Sequence, residues 1–319
     1  MTQTGIALVL GATGAIGGEV ARGLLARGWR VRALQRAPDS LARRDAGFEW
    51  IKGDAMVAAD VARAARGASL IVHAVNPPGY RNWGELVLPM IDNTIAAARA
   101  CGARILLPGT VYNFGPDVFP APTEASAQHA PTRKGGIRVE LERRLRAASA
   151  DGVRTLIVRA GDFFGPRGAG NNWFSGALVK AGKPVDAVMY PGAKGVGHQW
   201  AYLPDLAETM LRLLDREAEL PPFAVYHMRG HWDAAGTQMI DAVRRVAGRP
   251  RIKVRSFPWW ALVLIAPFSE TMREMREMRY LWQHGLYMDN ARLLAVLGEE
   301  PHTPLDEAVR ATLTGMRCV

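Results

Sequence analysis

Cysteine is scarce in this 319-residue chain, which has two, Cys101 and Cys318. Neither stands in a CxxC or other metal-ligand spacing. A disulfide framework and a thiolate metal site are therefore excluded, no metal is expected, and the composition suits a reducing cytoplasm. Long apolar runs are missing as well. Phe257 to Phe268 is apolar but too short for a membrane span and is bracketed by Pro258 and Pro267, so stable membrane insertion is not expected. No basic stretch precedes the first apolar residues, so no signal peptide is expected. Charge of one sign is not clustered either. Lys and Arg number 40 against 30 Asp and Glu, a net charge of +10, yet the basic residues are scattered without interleaved aromatics. They imply a solvated surface with some attraction for phosphates, and no nucleic-acid partner.

What the chain does have is enough apolar content, 49%, to build one large or two unequal domains. The most informative stretch is Ile6 to Gly18, IALVLGATGAIGG. Ile6 to Leu10 is a near-continuous aliphatic strand of the kind covered on both faces. Gly11 permits a tight turn, Gly14 permits close approach of the backbone to a pyrophosphate, and Gly17 lets the following helix sit close on the strand. Thr13, Ala15 and Ile16 complete the turn, and the first free N–H groups of the helix face the phosphates. Ile16, Val20 and Leu24 share one helix face, Gly28 ends the helix, and Val31 to Leu34 begins a second strand. Strand, glycines, amphipathic helix and second strand in one unit point to a dinucleotide site.

The carboxylate that would hold a ribose 2′-OH is absent from the end of the second strand, where Gln35 and Arg36 stand instead. A guanidinium can pair with a 2′-phosphate, so NADP is expected over NAD. Phe48 to Lys52 forms the next strand and ends in Gly53-Asp54-Ala55. Asp54 and Ala55 are placed near the adenine edge, with a plain helix cap as the competing role for Asp54.

Alternation of strand and helix continues: helix near Val57 to Arg66, strand Ser69 to Val75 with Ala74 facing the cofactor, helix Leu86 to Cys101, strand Arg104 to Leu107. A loop rich in Pro, Gly and Ser runs from Gly109 to Pro131, followed by a helix from Lys134 to Ala150 and a strand from Thr155 to Arg159. This predicts an α/β fold, a Rossmann-type doubly wound parallel sheet with a smaller C-terminal substrate lobe. The expected division is residues 1–165 for cofactor binding, with 200–228 returning to it, and the rest of 166–319 for the substrate. Loops carrying Asn171, Asn172, Trp173, Tyr190 and His198 are assigned to that lobe. Phe257 to Phe268 admits a buried helix, the commoner arrangement, or an exposed apolar flap that receives a hydrophobic substrate or touches a membrane surface.

These segments resemble the extended short-chain dehydrogenase/reductases, the group of NAD-dependent sugar epimerases and dehydratases, over nearly the whole chain. The resemblance is carried by Gly11-Ala12-Thr13-Gly14-Ala15-Ile16-Gly17, by Gly53-Asp54, by Thr110-Val111-Tyr112, by Arg159 with Gly165-Pro166, and by Trp200 to Ala207. It implies a hydroxyl after the fifth strand and a Tyr-x-x-x-Lys pair on the next helix, whose ammonium lowers the phenol's pKa from about 10. The chain departs at all three positions. Pro108 stands where the hydroxyl should be, and Thr132 and Gly136 stand at the tyrosine and lysine, so the family's catalytic residues do not carry over.

Four residues could replace them at the nicotinamide end: Lys134, Thr110, Tyr112 and, from the second lobe, His198. His73 is expected to be buried and hydrogen-bonded, and Met272, Met275 and Met278 to be packing residues. Trp173, Phe174, Trp259 and Trp260 point to a small, fairly apolar substrate. The expected function is an NADPH-dependent reductase of a carbonyl or enone. The alternatives are an NADP-binding redox sensor without turnover and a nucleotide-sugar epimerase or dehydratase. A homodimer is expected through Leu86, Val87, Met90 and Ile91, because relatives pair the helices flanking the fifth strand.

Overall fold

The computed structural model describes residues 5–38, 47–77, 82–167 and 172–319. Asn171, placed in a loop above, lies outside them. Seven parallel strands form the central sheet: β1 (Ile6–Leu10), β2 (Arg30–Gln35), β3 (Glu49–Lys52), β4 (Ala68–His73), β5 (Arg104–Gly109), β6 (Thr155–Arg159) and, after β7 (Asp162–Phe164), β8 (Ala187–Tyr190) and β9 (His198–Tyr202) in the chain, β10 (Phe223–His227). Their order is β10-β6-β5-β4-β1-β2-β3, so the chain reverses direction between β1 and β4. Ligands gather at such a switch point.

The sheet is covered on both faces, which is why β1 is apolar without alternation. Ala7 and Val9 pack with Val20 and Leu24 of α1 (Ala15–Ala26) and Met210 of α5 (Leu203–Asp215). Leu8 and Leu10 pack on the other face with Val61 of α2 (Ala58–Ala64) and Val87 and Ile91 of α3 (Trp83–Cys101). Each such fully buried aliphatic side chain contributes about 2 kcal/mol. α4 (Arg133–Ala150) covers the same face through Leu141 and Leu145, as its spacing predicts. Val87, Met90 and Ile91 are buried within the chain and Leu86 is half-buried.

The second lobe is built on β7, β9 and β11 (His231–Asp233), which form a three-stranded sheet, and on β8 paired with β12 (Lys253–Ser256). Tyr190 and His198 therefore lie on strands, where loops were expected. Around these strands pack α6 (Gln238–Val246), α7 (Trp259–Ile265), α8 (Glu270–Glu277) and α10 (Leu305–Gly315). Met278 is buried there and Met275 packs against the same cluster. α9 (Ala291–Leu297) returns to the cofactor side, with Leu293 in the core beneath β10, an excursion beyond the expected 200–228. Burial of Phe257 to Phe268 is corrected: Leu262 and Ala266 face inward, whereas Trp260 is 72%, Leu264 66% and Phe268 90% exposed. Among the described residues no helix is long and apolar enough to cross a membrane.

Three histidines are buried in neutral form. Burial pushes His73 and His227 down to about 3 and His231 down to about 4, with a nearby arginine adding to the effect in the first two. The unfolded chain takes up these protons near pH 6.5 and the native chain does not. Stability is therefore fully present above about pH 6.5 and falls below it, by up to about 4 kcal/mol per pH unit for three groups at about 1.4 each, until the native imidazoles protonate. Urea unfolding between pH 7 and pH 5 should show this slope; a flat profile would contradict it.

Candidate functional site

A crevice of about 710 Å³ opens at the carboxyl ends of β1, β2, β4 and β5. Its floor is the turn from β1 into α1. Gly11 has φ +93°, and a Cβ there would stand 2.5 Å from the Ala74 carbonyl oxygen. A Cβ on Gly17 would stand 2.3 Å from the Gly11 carbonyl, so Gly17 serves the close seating of the helix and does not itself line the crevice. Gly14 stands at the N-cap of α1, so no side chain caps the helix, and its first turn holds no acidic residue. Its first N–H groups are left for an anion, which is the fit a pyrophosphate requires. Thr13, Gly14, Ala15, Ile16 and Ala74 line this part.

Gln35, Arg36, Asp54 and Ala55 line the adjoining end. Arg36 is exposed at the rim, and its backbone N–H donates to Gln35 Oε1 at 2.8 Å. Asp54 does not cap a helix. Its Oδ1 accepts from the Met56 N–H at 3.0 Å, while α2 begins four residues later, with Val57 as its cap. These residues fit a dinucleotide, with cationic Arg36 and, among the described residues, no carboxylate at the tip of β2.

The far end is walled by Trp83, Tyr112, Phe163 and Trp173 and carries Thr110, Arg138, His73 and Asp162. Thr110 Oγ1 accepts from the Tyr112 N–H at 3.3 Å. His73 is buried with Nδ1 2.8 Å from Thr94 Oγ1, as expected. Lys134 is absent from the lining. Its ammonium is buried 3.6 Å from Glu274 and 5.7 Å from the centre of the Trp83 ring, behind the wall. Burial pulls its pKa down to about 8, opposed by the Glu274 charge. Thr132 caps α4, accepting from the Gly135 N–H at 3.1 Å, and Gly136 has nothing within 4 Å of its Cβ direction.

The pair that sequence reasoning missed is Asp162 with His198. Asp162 pairs in register with Trp200 on β9, so His198, two residues earlier, projects on the same face. His198 Nε2 lies 2.8 Å from Asp162 Oδ2, and its ring stacks on Trp282 at 3.6 Å with an interplanar angle of 7°. Asp162 is thereby oriented at the crevice by a buried imidazole.

Behind this wall Arg159, 1% exposed, forms the structural hub. It donates from Nε to Glu142 Oε1 at 3.1 Å, from Nη2 to Glu142 Oε2 at 2.5 Å, and from Nη1 to His227 Nε2 at 3.0 Å. His227 Nδ1 in turn donates to the Pro122 carbonyl at 3.2 Å, and Gln128 Nε2 donates to Glu142 Oε2 at 3.3 Å. The long loop after β5 is thus fastened at both its middle and its end.

A family model described as NAD dependent epimerase/dehydratase family matches residues 7–228. Among curated proteins the chain is similar to a ceramide reductase of Caulobacter vibrioides, 30% identical over 166 residues that make up 51% of this chain and 47% of that protein. It is also similar to a (4-alkanoyl-5-oxo-2,5-dihydrofuran-3-yl)methyl phosphate reductase of Streptomyces griseus, 39% identical over 100 residues, 31% of this chain and 32% of that protein. The chain spans about half or less of the length of the curated relatives it matches. Among solved structures it is similar to MoeE5 in complex with UDP-glucose and NAD, with a TM-score of 0.73 and 18% identity over 98% of this chain and 99% of that one. That likeness is one of fold.

Gly11→Ala forces a Cβ against the Ala74 carbonyl at a left-handed φ, and should weaken dinucleotide binding more than about 10-fold by fluorescence titration. Gly136→Ala, in open space on a helix, should instead raise stability by about 0.5–1 kcal/mol. Lys134→Met alone leaves buried Glu274 with only the 3.8 Å contact to half-exposed Arg133 and should cost about 1–3 kcal/mol in urea unfolding, whereas Lys134→Met with Glu274→Leu should recover most of that loss. Failure of the double variant to recover would contradict the pairing.

Proposed function

Since the chain belongs to the NAD dependent epimerase/dehydratase family, we propose that it is an NADPH-dependent reductase of a largely apolar carbonyl or enone. The observation that carries this is the far wall of the crevice: four aromatic side chains around a single carboxylate, Asp162, backed by buried His198. Two relatives named as reductases, one of them a ceramide reductase, support reduction as the reaction and a lipid-like molecule as the substrate class.

The dinucleotide, when bound, supplies hydride. The turn from Gly11 to Ile16 and the start of α1 would hold its pyrophosphate, and the Arg36 guanidinium would pair with the 2′-phosphate that distinguishes NADPH from NADH. Trp83, Tyr112, Phe163 and Trp173 bind the substrate and exclude water. Asp162, held in place by His198, would give a proton to the substrate oxygen and regain one from solvent. Thr110 and Tyr112 orient the oxygen. Lys134, facing Glu274, acts on the wall's charge and packing. A second reading, an NADP sensor without turnover, is favoured by one feature: Thr132 is spent as a helix cap and Gly136 is bare, so the family's usual acid has no counterpart at either position.

The test is fluorescence titration with NADPH and NADH, then NADPH oxidation against long-chain aldehydes, ketones, enones, quinones and nucleotide sugars. NADPH should bind about 10-fold or more tightly than NADH, and Arg36→Ala should remove the difference. Asp162→Asn should lower kcat about 100-fold with NADPH affinity unchanged. NADH binding as tight as NADPH would overturn the cofactor preference, and tight binding without oxidation of any compound would leave the sensor.

A further inference from the structure

The second lobe presents an apolar surface that its own chain leaves open. Along α7 and the helical turn after it, Trp260, Val263, Leu264 and Phe268 are exposed, the last to 90%. Their spacing places them on one stripe. The opposite stripe is firmly anchored. Trp259 Nε1 donates to the Pro191 carbonyl at 2.9 Å, Leu262 and Ala266 are buried, and the Trp259 ring packs 4.8 Å from Phe257 and 5.7 Å from Trp173. The helix therefore holds its apolar face outward in a fixed orientation, and a contiguous patch of this kind marks an interaction site.

Charge identifies the partner. All three carboxylates of α8 turn toward the cofactor-binding side: Glu270 accepts from the Asn82 N–H at 3.1 Å, Glu274 faces Lys134 at 3.6 Å, and Glu277 accepts from the Arg133 N–H at 3.0 Å. The arginines of the same segment, Arg273, Arg276 and Arg279, are exposed, as are Lys253 and Arg255 on the strand that leads into α7. An aromatic and aliphatic stripe flanked by cations is complementary to an anionic bilayer, apolar residues entering the headgroup boundary and guanidinium groups meeting the phosphates. At seven residues, α7 is far too short to span.

We propose that α7 docks the protein on the surface of an anionic lipid bilayer. The proposal deepens the reading of a lipid-like substrate and rests on it in one respect. Trp173 lines the crevice and packs on Trp259 and Phe257, so the docked helix stands directly behind the wall of the crevice that would take the lipid-like substrate.

The full chain is sedimented with vesicles of phosphatidylcholine containing phosphatidylglycerol and, separately, with phosphatidylcholine alone. Binding should be at least about 10-fold stronger to the anionic vesicles and weaken at high salt. The Leu264→Glu/Phe268→Glu variant should lose it while binding NADPH as before, which shows that it is folded. Protein that stays in the supernatant with anionic vesicles overturns the proposal, as does binding indifferent to the double variant, or a dimer in ultracentrifugation that the double variant dissociates. Vesicle binding without oxidation of any lipid carbonyl supports docking and rejects only the substrate reading; oxidation without vesicle binding does the reverse.

Discussion

The turn after β1 is pressed against the chain leaving β4. Ala74 donates its N–H to the Leu10 carbonyl at 2.9 Å, and there is room for neither a Cβ on Gly11 nor one on Gly17. This contact sets the seating of α1 on the sheet, and hence where its uncapped N–H groups point. It also sets the width of the gap between β1 and β4, the place where strand order reverses. The direction of those N–H groups depends on two missing methyl groups.

A second constraint secures the other end. The loop from Thr110 to Pro131 is too long and polar to hold its shape by apolar packing alone. It is held because Arg159, buried in β6, satisfies Glu142, and through Glu142 and His227 takes up Gln128 and the Pro122 carbonyl. Removing one partner of such a buried pair leaves an uncompensated charge, at a cost of about 3–5 kcal/mol. The apolar lobe then closes against this loop, with the Tyr280 hydroxyl donating to the Phe114 carbonyl at 3.2 Å.

The sheet and the phosphate end were legible in the sequence because their signals are local. A strand buried on both faces is an unbroken aliphatic run, and the turn after it requires glycine at fixed offsets. What failed to show is what depends on distant partners. Lys134 announces a helix start, but nothing near it says that its ammonium meets Glu274. Asp162 and His198 are brought together only by the pairing of β7 with β9. Trp260, Val263, Leu264 and Phe268 have the same spacing whether their stripe meets a core or a lipid surface, so the exposure of α7 could not be read from periodicity. Val87 and Ile91 show the converse: their apolar stripe is covered by the chain's own sheet.

Hydride transfer is the point on which the chemistry turns. The direct measurement is to incubate the protein with NADPH carrying deuterium at the transferable position of the nicotinamide, together with long-chain carbonyl compounds and enones, and to follow the label by mass spectrometry. Deuterium on the former carbonyl carbon, or on the β-carbon of an enone, is the expected result. Nucleotide that binds tightly yet keeps its deuterium against every compound would contradict a reductase and leave a protein that senses the nucleotide without consuming it.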